Sequence, residues 1–155
     1  MAEPGQLAPV SNVLPVPGSQ TRMSAPESKL RAIVVDDEAF IRQVLTRMLE
    51  QLGLDVVAVA ENGEPVLELN AEHLPDLVVM DIAMPRTDGL TSLGRLREAY
   101  PAACVIICTS FSSQQYIEQA ERLGAAGILN KPFDRARIRA KLEGIFPGRF
   151  AAPGP

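Results

Sequence analysis

Five polar side chains stand where short apolar runs end. Asp36 and Asp37 follow Ile33-Val34-Val35, and Asp81 closes Leu77-Val78-Val79-Met80. Thr109 follows Ala103 to Cys108, and Lys131 follows Ile128-Leu129-Asn130. Short apolar runs bounded by turn residues read as strands buried on both faces. If those strands are parallel, their carboxyl ends share one edge, where open α/β sheets place ligands. Three carboxylates crowded into a partly dry crevice repel one another unless a cation is present. Hard oxygen donors with room for water and phosphate suit Mg²⁺. Lys131 adds a point charge for a phosphoryl oxygen, and Thr109 adds a hydroxyl donor. A carboxylate in that company can attack a phosphoryl group and become an aspartyl phosphate.

The segments between these residues must deliver them to one edge. Phe40, Ile41, Val44, Leu45, Met48, Leu49 and Leu52 recur at helical spacing, and Gly53 stands where a helix C-cap is expected. Asp55 to Ala60 reads as a β-branched strand, Asn62-Gly63 as a turn, and Glu64 to His73 as a helix broken by Pro75. Gly89 to Tyr100 and Gln114 to Leu123 are the next helical patterns. Asp134 caps a last helix reaching about Phe146. Strands alternating with helices predict α/β architecture, a doubly wound five-stranded parallel sheet with five helices on its two faces.

Residues 1–28 carry Pro4, Pro9, Pro15, Pro17 and Pro26 with few large apolar residues, which reads as a disordered tail. Met23 offers an alternative start just before the folded pattern. The expected organisation is this tail, one domain over 29–146, and a short loose tail over 147–155, too short for an output domain. The 155-residue chain has 15 basic and 19 acidic residues, a net charge of −4, which does not point to nucleic acid. Cys104 and Cys108, read on one strand, lie roughly 13 Å apart. That is beyond the about 7 Å a disulfide spans. They read as buried thiols of a reducing cytoplasm. No apolar run reaches membrane-spanning length.

Taken together, Val34-Val35-Asp36-Asp37-Glu38, Asp81 with Met84-Pro85 and Asp88-Gly89, Thr109-Ser110, Gly124-Ala125-Ala126-Gly127 and Lys131-Pro132-Phe133 resemble the CheY-like receiver domains of two-component response regulators. Any one of these motifs is weak, but their order at successive strand ends is specific. The resemblance covers about residues 30–146. It implies a flavodoxin-like sheet in the order 2-1-3-4-5 and a cytoplasmic protein. Asp81 is implied as phosphoacceptor. Asp37 would bind Mg²⁺ directly, Asp36 mainly through water, and the Ala83 carbonyl would supply a further ligand. Thr109 and Lys131 would hold phosphoryl oxygens, with a cis bond before Pro132. The implied donor is a sensor histidine kinase or a histidine phosphotransfer protein. The implied output is phosphorylation-dependent binding of a downstream protein, in a chemotaxis-type or phosphorelay role, with a phosphorylation-dependent dimer as a further possibility. Arg135 and Arg139 on the last helix would face a partner.

One position departs from the family pattern. Ile128 stands three residues before Lys131, where the family usually has an aromatic switch residue. Switching is therefore expected from the loop and helix between Thr109 and Leu123. Ala83 offers no acid or amide to position a water. The same residue separates the chain from phosphatases that use a strand-end Asp nucleophile, because those need a second Asp two positions on as general acid. A binding module rather than a turnover enzyme is expected. Alternatives are such a Mg²⁺-dependent phosphatase-like enzyme and a receiver-like scaffold that is never phosphorylated. A flavodoxin-like FMN protein is a further alternative, contradicted by three acids in the crevice. Asp88-Gly89 reads as a turn and helix start only.

Overall fold

A computed structural model describes residues 29–84, 88–110 and 114–150. The expectations for 1–28, for Pro85, for the loop residues 111–113 and for the tail over 151–155 lie outside the described residues. The strands are β1 (Arg31–Val35), β2 (Asp55–Ala60), β3 (Leu77–Asp81), β4 (Val105–Thr109) and β5 (Gly127–Asn130). The helices are α1 (Ala39–Gln51), α2 (Val66–His73), α3 (Gly89–Ala99), α4 (Gln114–Arg122) and α5 (Arg135–Ile145).

All pairings are parallel, and the order across the sheet is β2-β1-β3-β4-β5. The uninterrupted apolar runs occupy its centre: every residue of β3 and β4 is buried. The mixed runs of β2 and β5 form the two edges. Each face of the sheet has its own apolar layer. Ala32, Val34, Val79 and Ile106 meet Leu45 and Leu49 of α1 and Ile138 and Leu142 of α5. Ile33, Met80 and Ile107 meet Val66 of α2, Leu93 and Leu96 of α3 and Ala120 of α4. Alternate residues of a strand point to opposite faces, so one apolar run serves both layers.

The helix ends follow local chemistry. Gly53 has φ of 98°, and its N–H donates to the Glu50 carbonyl, closing α1 in a conformation that costs glycine little. Asp88 and Asp134 cap α3 and α5 by accepting from the Thr91 and Arg137 amides, both with extended backbone.

Several expectations need correction. Phe40 is 72% exposed rather than part of the core stripe. It lies in the first turn of α1, whose buried residues, Leu45 and Leu49, come later in the helix. The helix after Asn62 starts at Val66, because the Asn62 side chain accepts from the Glu64 amide and holds a turn. The fourth strand begins at Val105, so Cys104 precedes it and is only half-buried. Both cysteines are free thiols.

The segment 147–150 is not loose. The Glu143 carboxylate accepts from the amides of Gly148 and Phe150, at 2.7 Å each. This turns the chain back so that Phe150 is buried against the α1/α5 layer, edge-on to Phe146. The folded body thus extends to Phe150. Truncating Phe150→Ala should cost on the order of 3 kcal/mol in urea unfolding, as for other buried aromatic rings. A loss below about 1 kcal/mol would place the ring outside the core.

Candidate functional site

β1 ends at Val35, but the backbone stays in register one residue further: the Asp36 amide donates to the Ala60 carbonyl. Asp36 is thereby drawn fully under the surface. Its Oδ1 accepts from the Glu38 amide at 2.9 Å and its Oδ2 from Lys131 Nζ at 3.0 Å. The next residue, Asp37, turns outward and is exposed. Asp81, the last residue of β3, pairs across with Cys108 of β4 and is buried. Its Oδ1 accepts from the Ala83 amide and its Oδ2 from Lys131 Nζ, at 3.2 Å each.

Lys131 is placed by its neighbour strand. Its amide donates to the carbonyl of Thr109, the fully buried last residue of β4. The following peptide, Lys131–Pro132, is cis. The ammonium then lies between two carboxylates from strands that are far away in sequence. Carboxylate oxygens of Asp36, Asp37 and Asp81 all come within 4.8 Å of one another. Among the described residues this is the group able to converge on a metal ion.

Charge and burial oppose each other here. Burial pushes the Asp81 carboxyl above its ordinary value; Lys131 pulls it down, Asp36 pushes it up again, and the net shift is upward. Burial works against the Lys131 ammonium, but the bonds to Asp36 and the charges of Asp81 and Asp36 outweigh it and hold the amine protonated well above its usual range. Cys108, just below the site, has its thiol pushed up to about 12, chiefly by burial. It is a packing group at neutral pH.

The other residues singled out from the sequence lie further off. Ile128 is half-buried beside Ile107, in the layer that carries α2, α3 and α4. Arg135 is exposed and donates to the Gln51 side chain at the end of α1, at 2.7 Å. Arg139 is half-buried on α5. The Ala83 side chain is exposed beside the crevice.

Two contributors escaped the sequence reading. Glu38 brings a third carboxylate to Lys131, Oε1 to Nζ 3.7 Å. Its place directly after Asp36-Asp37 was the available signal. Arg42 falls on the polar side of α1 by periodicity, yet its guanidinium donates to the Asp36 carbonyl at 2.6 Å. Helical spacing alone cannot show that a side chain reaches past the helix start.

A family described as the response regulator receiver domain matches residues 32–143. The chain belongs to that family. Its receiver domain is 40% identical over 108 residues to the chemotaxis protein CheY of Bacillus subtilis, covering 70% of this chain and 90% of that one. It is 39% identical over 113 residues to the transcriptional regulatory protein PdtaR of Mycobacterium tuberculosis, covering 73% of this chain and 55% of the relative. Among solved structures, a chain of the CheX–CheY–BeF3–Mg²⁺ complex from Borrelia burgdorferi superposes with a TM-score of 0.73 at 28% identity, covering 76% and 89% of the two chains. The receiver fold and its sheet order are those expected from the motifs. No helix of the described residues is long and apolar enough to cross a membrane.

The raised Asp81 carboxyl has a definite sign in stability. A folded value above the unfolded value of 3.8 favours the protonated form in the fold. Its contribution is complete below 3.8 and is lost as pH rises through the folded value. With divalent ions chelated, Asp81→Asn should therefore gain stability over the wild-type receiver as pH rises from about 4 toward neutrality. Denaturant melts at several pH values check this; a difference independent of pH would contradict it.

Proposed function

We propose that the receiver accepts a phosphoryl group on Asp81 in a Mg²⁺-dependent reaction and signals through phosphorylation-dependent protein binding. The observation that carries this reading is the Lys131 ammonium held between Asp36 and Asp81, at 3.0 and 3.2 Å, beside a third carboxylate. The donors are hard oxygens within reach of one ion, a set that fits Mg²⁺. Asp36, Asp37 and Asp81 would hold it, with the Ala83 carbonyl as a further ligand. When bound, the ion supplies charge neutralisation for the phosphoryl oxygens.

The remaining steps belong to the protein. An Asp81 carboxylate oxygen bonds to phosphorus as the donor's phosphorus–nitrogen bond breaks, and the pair of electrons leaves with the imidazole nitrogen. Lys131 then exchanges its contact with the Asp81 carboxylate for a phosphoryl oxygen, and the Thr109 hydroxyl donates to another. The donor is a histidine-phosphorylated kinase or phosphotransfer protein. Ile128 has no ring to swing, so the change at Thr109 passes to the loop before α4 and to α4 itself. The basic outer side of α5, with Arg135 and Arg139, is offered to an acidic partner.

Incubation with Mg²⁺ and acetyl phosphate should add the mass of one phosphoryl group, and Asp81→Asn should abolish the addition. A labelled Asp81→Asn protein would reject Asp81 as the acceptor, and an unlabelled wild type would reject the reading in favour of a receiver-like scaffold. The exposed Ala83 methyl gives no help to an attacking water. Ala83→Asn adds an amide that can orient one, so the phosphoryl lifetime measured by mass spectrometry should shorten. An unchanged lifetime would show that water is positioned by other groups.

A further inference from the structure

We infer that Gly89 is a positioning residue for Asp81: its missing side chain lets the first turn of α3 rest directly on the Asp81–Ile82 peptide, which sets the aim of the Asp81 carboxylate. The inference deepens the proposed phosphoacceptor role and rests on it.

Gly89 is buried and begins α3, and its backbone is not among the left-handed glycines. Conformational freedom therefore does not explain the residue; space does. A Cβ built there would overlap the Asp81 carbonyl oxygen and lie 2.7 Å from Ile82 Cα and 2.9 Å from the Asp81 carbonyl carbon. All three are backbone atoms, which cannot rotate aside as a side chain can. The Gly89 amide also donates to the Ile82 carbonyl at 2.7 Å, so the contact is a bonded one. On the other side, the Asp88 carboxylate caps α3 through the Thr91 amide at 2.7 Å. The Gly89–Ile82 bond holds the helix start against this peptide, so an added methyl group must push the peptide of Asp81.

The carboxylate it carries is held by two hydrogen bonds, from the Ala83 amide and Lys131 Nζ, each 3.2 Å and at the long end of the ordinary range. Neither is strong enough to keep the carboxylate in place if its own backbone moves. Gly94, in the same helix, provides the contrast. A Cβ there would meet only Leu123 Cδ2, at an ordinary 3.6 Å.

The test compares Gly89→Ala, Gly94→Ala and the double variant with wild type, with acetyl phosphate at saturating Mg²⁺ and well below each melting temperature. Gly89→Ala should label at least about tenfold more slowly, since an ångström of misplacement can cost about a hundredfold. Gly94→Ala should keep the wild-type rate and melt no lower, because alanine favours the helix. The double variant should gain the stability and keep the slow labelling. That separation is one a merely structural glycine would not produce. Wild-type labelling in Gly89→Ala would overturn the inference while leaving the phosphoacceptor role intact. Unfolding of both Gly89 variants by circular dichroism would also overturn it, because Gly89 would then belong to the fold rather than to the site. An unlabelled wild type would overturn the phosphoacceptor role, and the inference with it.

Discussion

The structure turns on one ammonium shared by two buried carboxylates. Lys131 Nζ sits 3.0 Å from Asp36 and 3.2 Å from Asp81, with little exposure of any of the three. At an effective dielectric of 20, unit charges 4 Å apart interact by about 4 kcal/mol. Taking each from water costs several kcal/mol in return. Such an arrangement adds little net stability, but losing the lysine would leave two buried carboxylates uncompensated. Lysine is suited to the position because its ammonium is compact and its stem flexible. In the proposed reaction one side chain would serve as counter-ion before the transfer and as an oxyanion ligand after it. The three carboxylates still outnumber the ammonium, so the crevice keeps negative charge for a divalent ion to meet.

The rest of the fold makes that contact possible. Lys131 is separated from Asp36 by 95 residues and from Asp81 by 50. Only a parallel sheet brings all the relevant strand ends to one edge, and the long lysine side chain spans the remaining distance from β5 to Asp36. β1 and β3 are neighbours, as are β3 and β4 and then β4 and β5, so each functional residue is one strand from the next. The Thr109 carbonyl that receives the Lys131 amide links the last two of these strands at the site itself. Full burial of β3 and β4 leaves no slack in this register.

The two faces of the sheet divide the work. α1 and α5 share one layer, which the turn at Glu143 and the ring of Phe150 extend beyond the family match at residue 143. The opposite layer carries α2, α3 and α4, and within it lie Ile128 and, directly after Asp81, Ile82 and Met84. A change at the crevice is thus adjacent to the α3/α4 side.

Much of this was legible in the residue order. Apolar runs ending in Asp36, Asp81, Thr109 and Lys131 reveal strands and their functional ends, because a strand buried on both faces must be apolar until it leaves the sheet. The cap at Asp134, the helix start at Asp88-Gly89 and the C-cap at Gly53 are local chemistry, and they were readable for that reason. What periodicity could not tell was where an element outruns its support. Phe40 has the right spacing for the core but lies past the end of β1. Arg42 has the spacing of a surface residue but reaches back to Asp36. Phe150 looks like tail, yet it is drawn in by Glu143. Gly89 reads as a turn residue until the peptide of Asp81 is found against it. The residue types and their spacing therefore determined the fold class and the chemistry at the strand ends. The tertiary structure alone decided which groups touch, because contact depends on how far neighbouring segments extend past one another, and no single stretch of chain records that.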